Sequence, residues 1–97
     1  MKTNQAEGEV LDRLVAQCEG QVYHGPAWTK YSTDWAQGGP IIEREKTAIK
    51  ENGYGHWFAK VGTGKWMRGP TPLIAAMRCY VASKFGDDID VPMELTI

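Results

Sequence analysis

The stretch between Thr71 and Gly86 constrains the fold more than any other part of the chain. Thr71 is a good N-cap, and Pro72 follows it at a position where a missing N–H costs nothing. Gly86 is the residue type that takes a left-handed turn after a helix, and Lys84 lies in the last turn, where the helix dipole favours a cation. The sequence therefore predicts a helix over residues 72–85.

This predicted helix is apolar over most of its circumference. One side carries large apolar side chains, which we expect to pack on a sheet. The other side carries small residues that permit close backbone approach, and it predicts a symmetric homo-oligomer. The large side chains are Leu73, Ile74, Met77, Tyr80, Val81 and Phe85, and the small ones are Ala75, Ala76, Cys79 and Ala82.

Size and charge restrict the class of protein. The 97 residues predict a single domain over residues 1–97, with a hydrophobic core that needs no metal or disulfide. A net charge of −1 argues against a protein held on duplex DNA mainly by phosphate contacts, although a local basic groove stays open. No apolar run approaches the roughly 18 residues of a membrane span. Because no signal peptide is evident, we expect a cytoplasmic protein with Cys18 and Cys79 reduced; a disulfide between them is the alternative.

The order of the predicted elements gives an α+β domain with an N-terminal helix, a three-stranded antiparallel sheet and the long C-terminal helix packed on the sheet. We expect both helices on one face of that sheet. Apolar spacing predicts the N-terminal helix over residues 7–17, ending at Gly20. Asn52-Gly53 predicts a two-residue hairpin turn between the first two strands. The strands are predicted over residues 41–50, 54–61 and 65–68.

Residues 25–40 show no periodicity and are predicted to form a long functional loop. Ser32-Thr33-Asp34 is suited to cap a single helical turn within it. The remaining local predictions are a frayed segment over residues 1–6, a short strand over 21–24, and an acidic tail over 87–90 that precedes Val91-Pro92-Met93.

Two blocks of this sequence resemble the NinX-like family of small bacteriophage and prophage proteins. The first runs from Tyr31 to Arg44 and contains Ser-Thr-Asp-Trp-Ala-Gln-Gly-Gly-Pro, and the second runs from Gly69 to Ser83. An N-terminal helix lies in the same place, whereas residues 45–68 match only in forming a hairpin. The resemblance implies a phage-encoded protein expressed in the cytoplasm of an infected bacterium. It implies no catalytic or binding residues.

No stretch predicts catalysis or a resident metal. Gly62-Thr63-Gly64-Lys65 is similar to part of a phosphate loop, but Trp66 stands where the Mg²⁺-binding hydroxyl is required. His24 and His56 have no ligands at metal-binding spacing. Cys79 lies on an apolar helix face and is interpreted as a core residue. The acidic tail lacks the pattern of a calcium loop and is interpreted as a solvated helix end; its carboxylates are Asp87, Asp88 and Asp90.

The turn at residues 69–71 is the first candidate binding feature. Free N–H groups, the Thr71 hydroxyl and the positive end of the helix dipole suit an anion. Arg68 lies just before this turn and Arg78 two helical turns after it. The alternative is that Gly and Pro only shape a corner between strand and helix.

The aromatic loop is the second candidate. Trp28, Tyr31 and Trp35 lie within it, and they approach Trp57 and Trp66 if the loop folds back on the sheet. Such rings stack on nucleic-acid bases. The alternative is that they close the open face of the sheet as ordinary core.

Together these features predict a non-catalytic protein, without cofactor or metal, that sequesters a nucleotide-derived small molecule. In a phage setting, the expected purpose is to deprive a host defence system of its signal. Trp35 and Trp57 are predicted to stack on the base, with Tyr31 beside them. The predicted phosphate ligands are Arg68, Thr71 and Arg78.

Two other functions stay open. One is a nucleic-acid-binding accessory protein, which requires a basic stripe and affinity that falls with salt. The other is an inhibitor of a host protein that uses the edge strand or an exposed tryptophan as its anchor. The candidates for the basic stripe are Lys46, Lys50, Lys60, Lys65 and Arg68.

Overall fold

Three α-helices and a three-stranded antiparallel sheet form the part of the chain that a computed structural model describes, residues 2–88. The elements are a 3₁₀ turn (Thr3–Gln5), α1 (Gly8–Glu19), α2 (Trp35–Glu45), β1 (Ala48–Glu51), β2 (Trp57–Lys60), β3 (Met67–Gly69) and α3 (Pro72–Phe85). The predicted tail at residues 89–97, with Asp90 and Val91-Pro92-Met93, lies outside the described residues, as does Met1.

Helix α3 forms as predicted and is the centre of the fold. The Thr71 hydroxyl accepts a hydrogen bond from the Ile74 amide at 3.1 Å, and Pro72 is the first helical residue. Gly86 ends the helix with φ 86° and ψ −172°, so its conformation is extended rather than the predicted left-handed turn, although its positive φ still favours glycine. The helix packs on all three strands, on α1 and on α2.

The sheet has the order β1-β2-β3, and α3 covers one of its faces. Ala59 and Met67 are opposite each other in the register and are buried towards α3. Since successive side chains alternate between faces, Lys50, Phe58 and Arg68, which are also register partners, lie on the opposite face. The predicted α+β architecture is confirmed. Helix α1 reaches the core by packing on α3 rather than on the sheet itself.

Helix α1 begins one residue later and ends two residues later than predicted, and Gly20 ends it in the left-handed conformation (φ 68°) as expected. The prediction of frayed N-terminal residues is wrong for residues 2–6. The Thr3 hydroxyl donates to the carbonyl oxygen of Gly86 at 2.7 Å, and its amide donates to that of Asp87 at 2.8 Å. Ala6 is fully buried in the core, so this segment is attached to the end of α3.

Helix α2 replaces residues 35–40 of the predicted loop and the first half of the first predicted strand. The Asp34 side chain accepts from the Ala36 amide at 2.9 Å and begins the helix. Gly38 is required in it, because a Cβ there would collide with the Tyr31 carbonyl oxygen and with Leu73. Lys46, in the left-handed region with φ 53°, ends it. The predicted strand at residues 21–24 does not form.

The predicted two-residue hairpin turn is wrong in length. The connection between β1 and β2 spans residues 52–56, with the Asn52 side chain accepting hydrogen bonds from the amides of Tyr54 (2.8 Å) and His56 (3.3 Å). Gly53 and Gly55 both have positive φ. Asn and Gly therefore form a turn here, but the Asn side chain widens it into a longer loop.

Candidate ligand-binding sites

Trp35 and Thr71 meet in a cleft of about 200 Å³ at the amino end of α3, which we call the Trp35–Thr71 cleft. Trp35 is the first residue of α2, and its side chain is 52% exposed. The full lining is Ser32, Thr33, Trp35, Thr71, Leu73 and Ile74. The cleft therefore combines an indole ring, hydroxyl groups and the positive end of a helix.

A hydrogen bond from the Ser32 amide to Asp12 Oδ1, at 2.8 Å, holds the wall of the cleft against α1. Burial raises the pKa of the Asp12 carboxyl, and the bond from Ser32 offsets part of that effect. Further along, the Gln37 side chain accepts from the Lys30 amide at 2.8 Å and donates to the Trp28 carbonyl oxygen at 2.9 Å. The segment before α2 is thus held by side-chain hydrogen bonds from both flanking helices.

The hydrogen bonds at Thr71, in the corner formed by residues 69–71, cap the amino end of α3. The Thr71 hydroxyl is engaged by the Ile74 amide, and the Ala75 amide donates to the Thr71 carbonyl oxygen at 3.0 Å. The Thr71 oxygen keeps a free lone pair, and a hydroxyl that accepts one hydrogen bond can still donate its own proton. Thr71 therefore has capacity left for a ligand, while these two amides do not.

Arg78 lies away from the cleft and is only 8% exposed. Its Nε donates to the Ala6 carbonyl oxygen at 2.7 Å, its Nη1 donates to the Arg68 carbonyl oxygen at 2.9 Å, and its Nη2 lies 3.7 Å from Glu7 Oε2. Burial lowers the pKa of this guanidinium. Arg78 joins the N-terminal segment and β3 to α3, which leaves it badly placed for the expected phosphate contact.

The other predicted site residues are also dispersed. Tyr31 and Trp57 are half-buried and pack against the core, which fits the structural alternative for these rings. Arg68 is exposed on the sheet face opposite α3. The structure thus brings Trp35 together with Thr71 and separates them from Arg68 and Arg78.

Among residues 2–88, no helix covers the side of the sheet opposite α3, and a second cavity lies there. Lys50 is one of the predicted basic-stripe candidates, but the cavity itself was not predicted. It measures about 460 Å³, and Lys50 Nζ lies 4.1 Å above the centre of the Trp66 ring that lines it. Lys60 Nζ lies 5.0 Å from the same ring. The sequence signal for this surface was the alternation of side chains along β2, which places Phe58 and Lys60 on the same face of the sheet. The cavity is lined by Lys50, Glu51, Asn52, Phe58 and Trp66.

Both cysteines are unsuited to nucleophilic chemistry at neutral pH. Burial raises the pKa of the Cys18 thiol to about 11 and also raises that of Cys79, and both are free. Cys79 lines an apolar groove of about 170 Å³ between the end of α3 and the turn before β3. Within residues 2–88, no group of three or more His, Cys, Asp or Glu side chains is placed to hold a metal ion.

Comparison with protein families identifies the chain. The sequence model described as Bacteriophage P22, NinX matches residues 2–84, most of the 97 residues. The chain belongs to the bacteriophage P22 NinX family. The NinX match spans the Trp35–Thr71 cleft and the uncovered sheet face alike, so both are parts of the family domain. No curated protein matches this NinX chain. Across the described residues, its helices fall short of the length and apolarity that crossing a membrane requires.

Proposed function

We propose that this NinX-family protein is a non-catalytic binding protein that holds a nucleotide-derived small molecule in the Trp35–Thr71 cleft. The observation that supports the proposal is the meeting of a half-exposed indole and a helix-capping hydroxyl in one concave site. An aromatic ring offers stacking to a base, and the amino end of α3 favours a negative charge.

The geometry limits which ligand fits. The cleft, at about 200 Å³, is smaller than the roughly 300–1,000 Å³ of typical small-molecule pockets. It therefore suits a single nucleotide, or one nucleotide unit of a larger molecule whose remainder stays in solvent. The phosphate would be met by the Thr71 hydroxyl and the helix dipole instead of by a guanidinium, because Arg68 and Arg78 lie elsewhere.

In the setting that the family implies, sequestration inside the infected cell would deprive a host defence system of its nucleotide signal. Sequestration needs affinity and abundance rather than turnover, which fits a site whose lining, within residues 2–88, holds no paired acid and base.

Isothermal titration calorimetry with a panel of linear and cyclic nucleotides tests the proposal. At least one ligand is expected to bind, and Trp35→Ala is expected to weaken it by roughly 5- to 150-fold, the range for losing one stacking ring. Trp28→Ala is the matched control, because Trp28 is 77% exposed but does not line the cleft. Absence of heat from every nucleotide, or equal losses in the two variants, would contradict the proposal.

A further inference from the structure

We propose that the uncovered face of the sheet binds single-stranded nucleic acid, independently of the Trp35–Thr71 cleft. We call this surface the open face. It comprises Lys50, Phe58, Lys60, Trp66 and Arg68.

Strand register places the open-face side chains in a compact array. Lys50, Phe58 and Arg68 form one row across the three strands, because Lys50 is paired with Phe58 and Phe58 with Arg68. Neighbouring strands lie about 4.8 Å apart, so the row spans roughly 10 Å. Lys60 follows Phe58 on the same face, and Trp66 directly precedes β3. An aromatic ring in this row therefore lies between two cations.

The charge on this face is unbalanced although the whole chain carries −1. Among residues 2–88, neither Lys50, Lys60 nor Arg68 takes part in a salt bridge, whereas Lys65 nearby is neutralised by Asp87 at 3.0 Å. Among the described residues that line the cavity, Glu51 alone carries a carboxylate, and it accepts a hydrogen bond from the Gly53 amide. Three unpaired cations beside two aromatic rings complement a phosphate backbone that carries exposed bases.

The shape of the face favours single strands over a duplex. Phe58 and Trp66 offer ring surfaces, and these bind bases whose own faces are free. In a duplex the bases are already stacked, and only phosphates and groove edges are presented. The open face contains a broad depression of about 460 Å³ and no protruding helix or ribbon among residues 2–88, so it does not suit entry into a groove.

The contacts of Trp66 suggest how binding proceeds. In the free protein the ammonium groups of Lys50 and Lys60 lie over its ring, at 4.1 and 5.0 Å from the centre. A bound strand would draw these ammonium groups to its phosphates, and a base would take their place on the indole. Binding should therefore change the fluorescence of Trp66.

Fluorescence anisotropy with labelled RNA and DNA strands of about 12 nucleotides, within the known range of site sizes, tests the proposal. We expect binding to at least one of them and weaker binding to the matched duplex. Three phosphate contacts predict that affinity falls about 20-fold between 50 and 200 mM salt. A poly-glutamate peptide of equal charge is expected to bind more weakly, because it offers no bases; equal binding would overturn the proposal in favour of an acidic protein partner.

Variants locate the surface. Trp66→Ala should weaken binding by roughly 5- to 150-fold, and Trp66→Phe, which keeps a ring and protects the fold, should restore most of it. The triple variant of Lys50, Lys60 and Arg68 to Gln should flatten the salt dependence. Its charge-matched control changes Lys30, Lys46 and Lys84 to Gln; these lysines are exposed, lie outside the strands and take part in no salt bridge among residues 2–88.

No binding at low salt, or equal effects of the test and control variants, would overturn the proposal. Trp35→Ala separates this site from the cleft, because it should leave strand binding unchanged while abolishing nucleotide stacking. Each of the two proposals can therefore fail without the other.

Discussion

Gly69 of β3 lies directly against Ala75 of α3. A Cβ at position 69 would be 2.6 Å from the Ala75 amide nitrogen and 2.8 Å from its Cα. The small-residue side of α3 thus serves close packing inside the chain, where Ala75 and Ala76 are buried against neighbouring elements. The homo-oligomer expected from that side stays a prediction, to be tested by light scattering. Ala75, one of the small residues that motivated it, already packs against Gly69 of the same chain.

Substituting Gly69 tests this contact. Gly69→Ala should destabilise the fold by about 3 kcal/mol, at the upper end for overpacking, because the atoms it meets are backbone atoms that cannot rotate away. Gly39→Ala is the control: its Cβ meets only Trp35 Cε3, at 3.8 Å, and it should gain up to about 1 kcal/mol of helix propensity. Urea unfolding measures both, and similar stabilities for the two variants would contradict the packing described.

The two arginines first considered as phosphate ligands should behave oppositely. Arg78→Ala leaves the carbonyl oxygens of Ala6 and Arg68 without their donor and should cost about 2–4 kcal/mol of unfolding free energy. Arg68→Ala, on the exposed face, should change stability by less than about 0.5 kcal/mol. A thermal-denaturation series that ranks them in reverse would show that Arg78 has another role.

Glu19 joins α1 to α2 and α3, and its carboxylate should make the free energy of unfolding depend on pH. It accepts bonds from Arg44 Nη2 at 2.6 Å and from the Tyr80 hydroxyl at 2.5 Å. The bond from Arg44 is the main cause that lowers the pKa of Glu19 below its ordinary value of 4.5. The ionised form is therefore favoured by folding, and its stabilisation is complete above pH 4.5 and lost as pH falls through the lower folded-state pKa.

Glu19→Gln should cost about 1–2 kcal/mol at neutral pH, modest because Arg44 is half exposed. The difference from the natural chain should shrink in acid, as the Glu19 carboxylate becomes protonated. Unfolding curves at several pH values check this, and a constant difference would exclude the ionised carboxylate as its source.

The Asp12 carboxyl should make stability depend on pH in the opposite direction from Glu19. Burial raises the pKa of its carboxyl above 3.8, so its ionised form opposes folding at neutral pH. Asp12→Asn keeps an oxygen for the Ser32 amide and should be neutral or stabilising at pH 7, an advantage that fades as pH falls through the raised pKa. Asp12→Ala removes the acceptor and should cost about 1–3 kcal/mol. Equal losses in both variants would contradict this interpretation.

Helix α3 was predictable because several local signals agree there: Thr71 as cap, Pro72 as first residue and Gly86 at the end. Helix α2 was not, because Gly38, Gly39 and Pro40 all lower intrinsic helix propensity. Its stability comes from tertiary contacts, with Gly38 lying against Leu73 and with Ile41 buried in the core.

The candidate sites, too, were predictable where local sequence determines them and not where tertiary contacts do. The sequence brought Trp35 and Thr71 into one hypothesis on general grounds of chemistry, and the fold places them together. It could not indicate that the Arg78 side chain turns back onto the N-terminal segment, since that contact joins residues 72 positions apart. The alternation of side chains along β2 indicated that Phe58 and Lys60 share one face of the sheet. Only the strand register showed that Lys50 and Arg68 lie on either side of Phe58.

Pro40 lies inside α2 and has no N–H to offer the carbonyl of Ala36. The turn that carries Trp35 is therefore joined to the rest of its helix by one hydrogen bond fewer than usual. Amide hydrogens at that end should exchange with deuterium ahead of those in α3. A ligand that binds Trp35 would therefore contact a helix end that opens locally, while α3 stays folded.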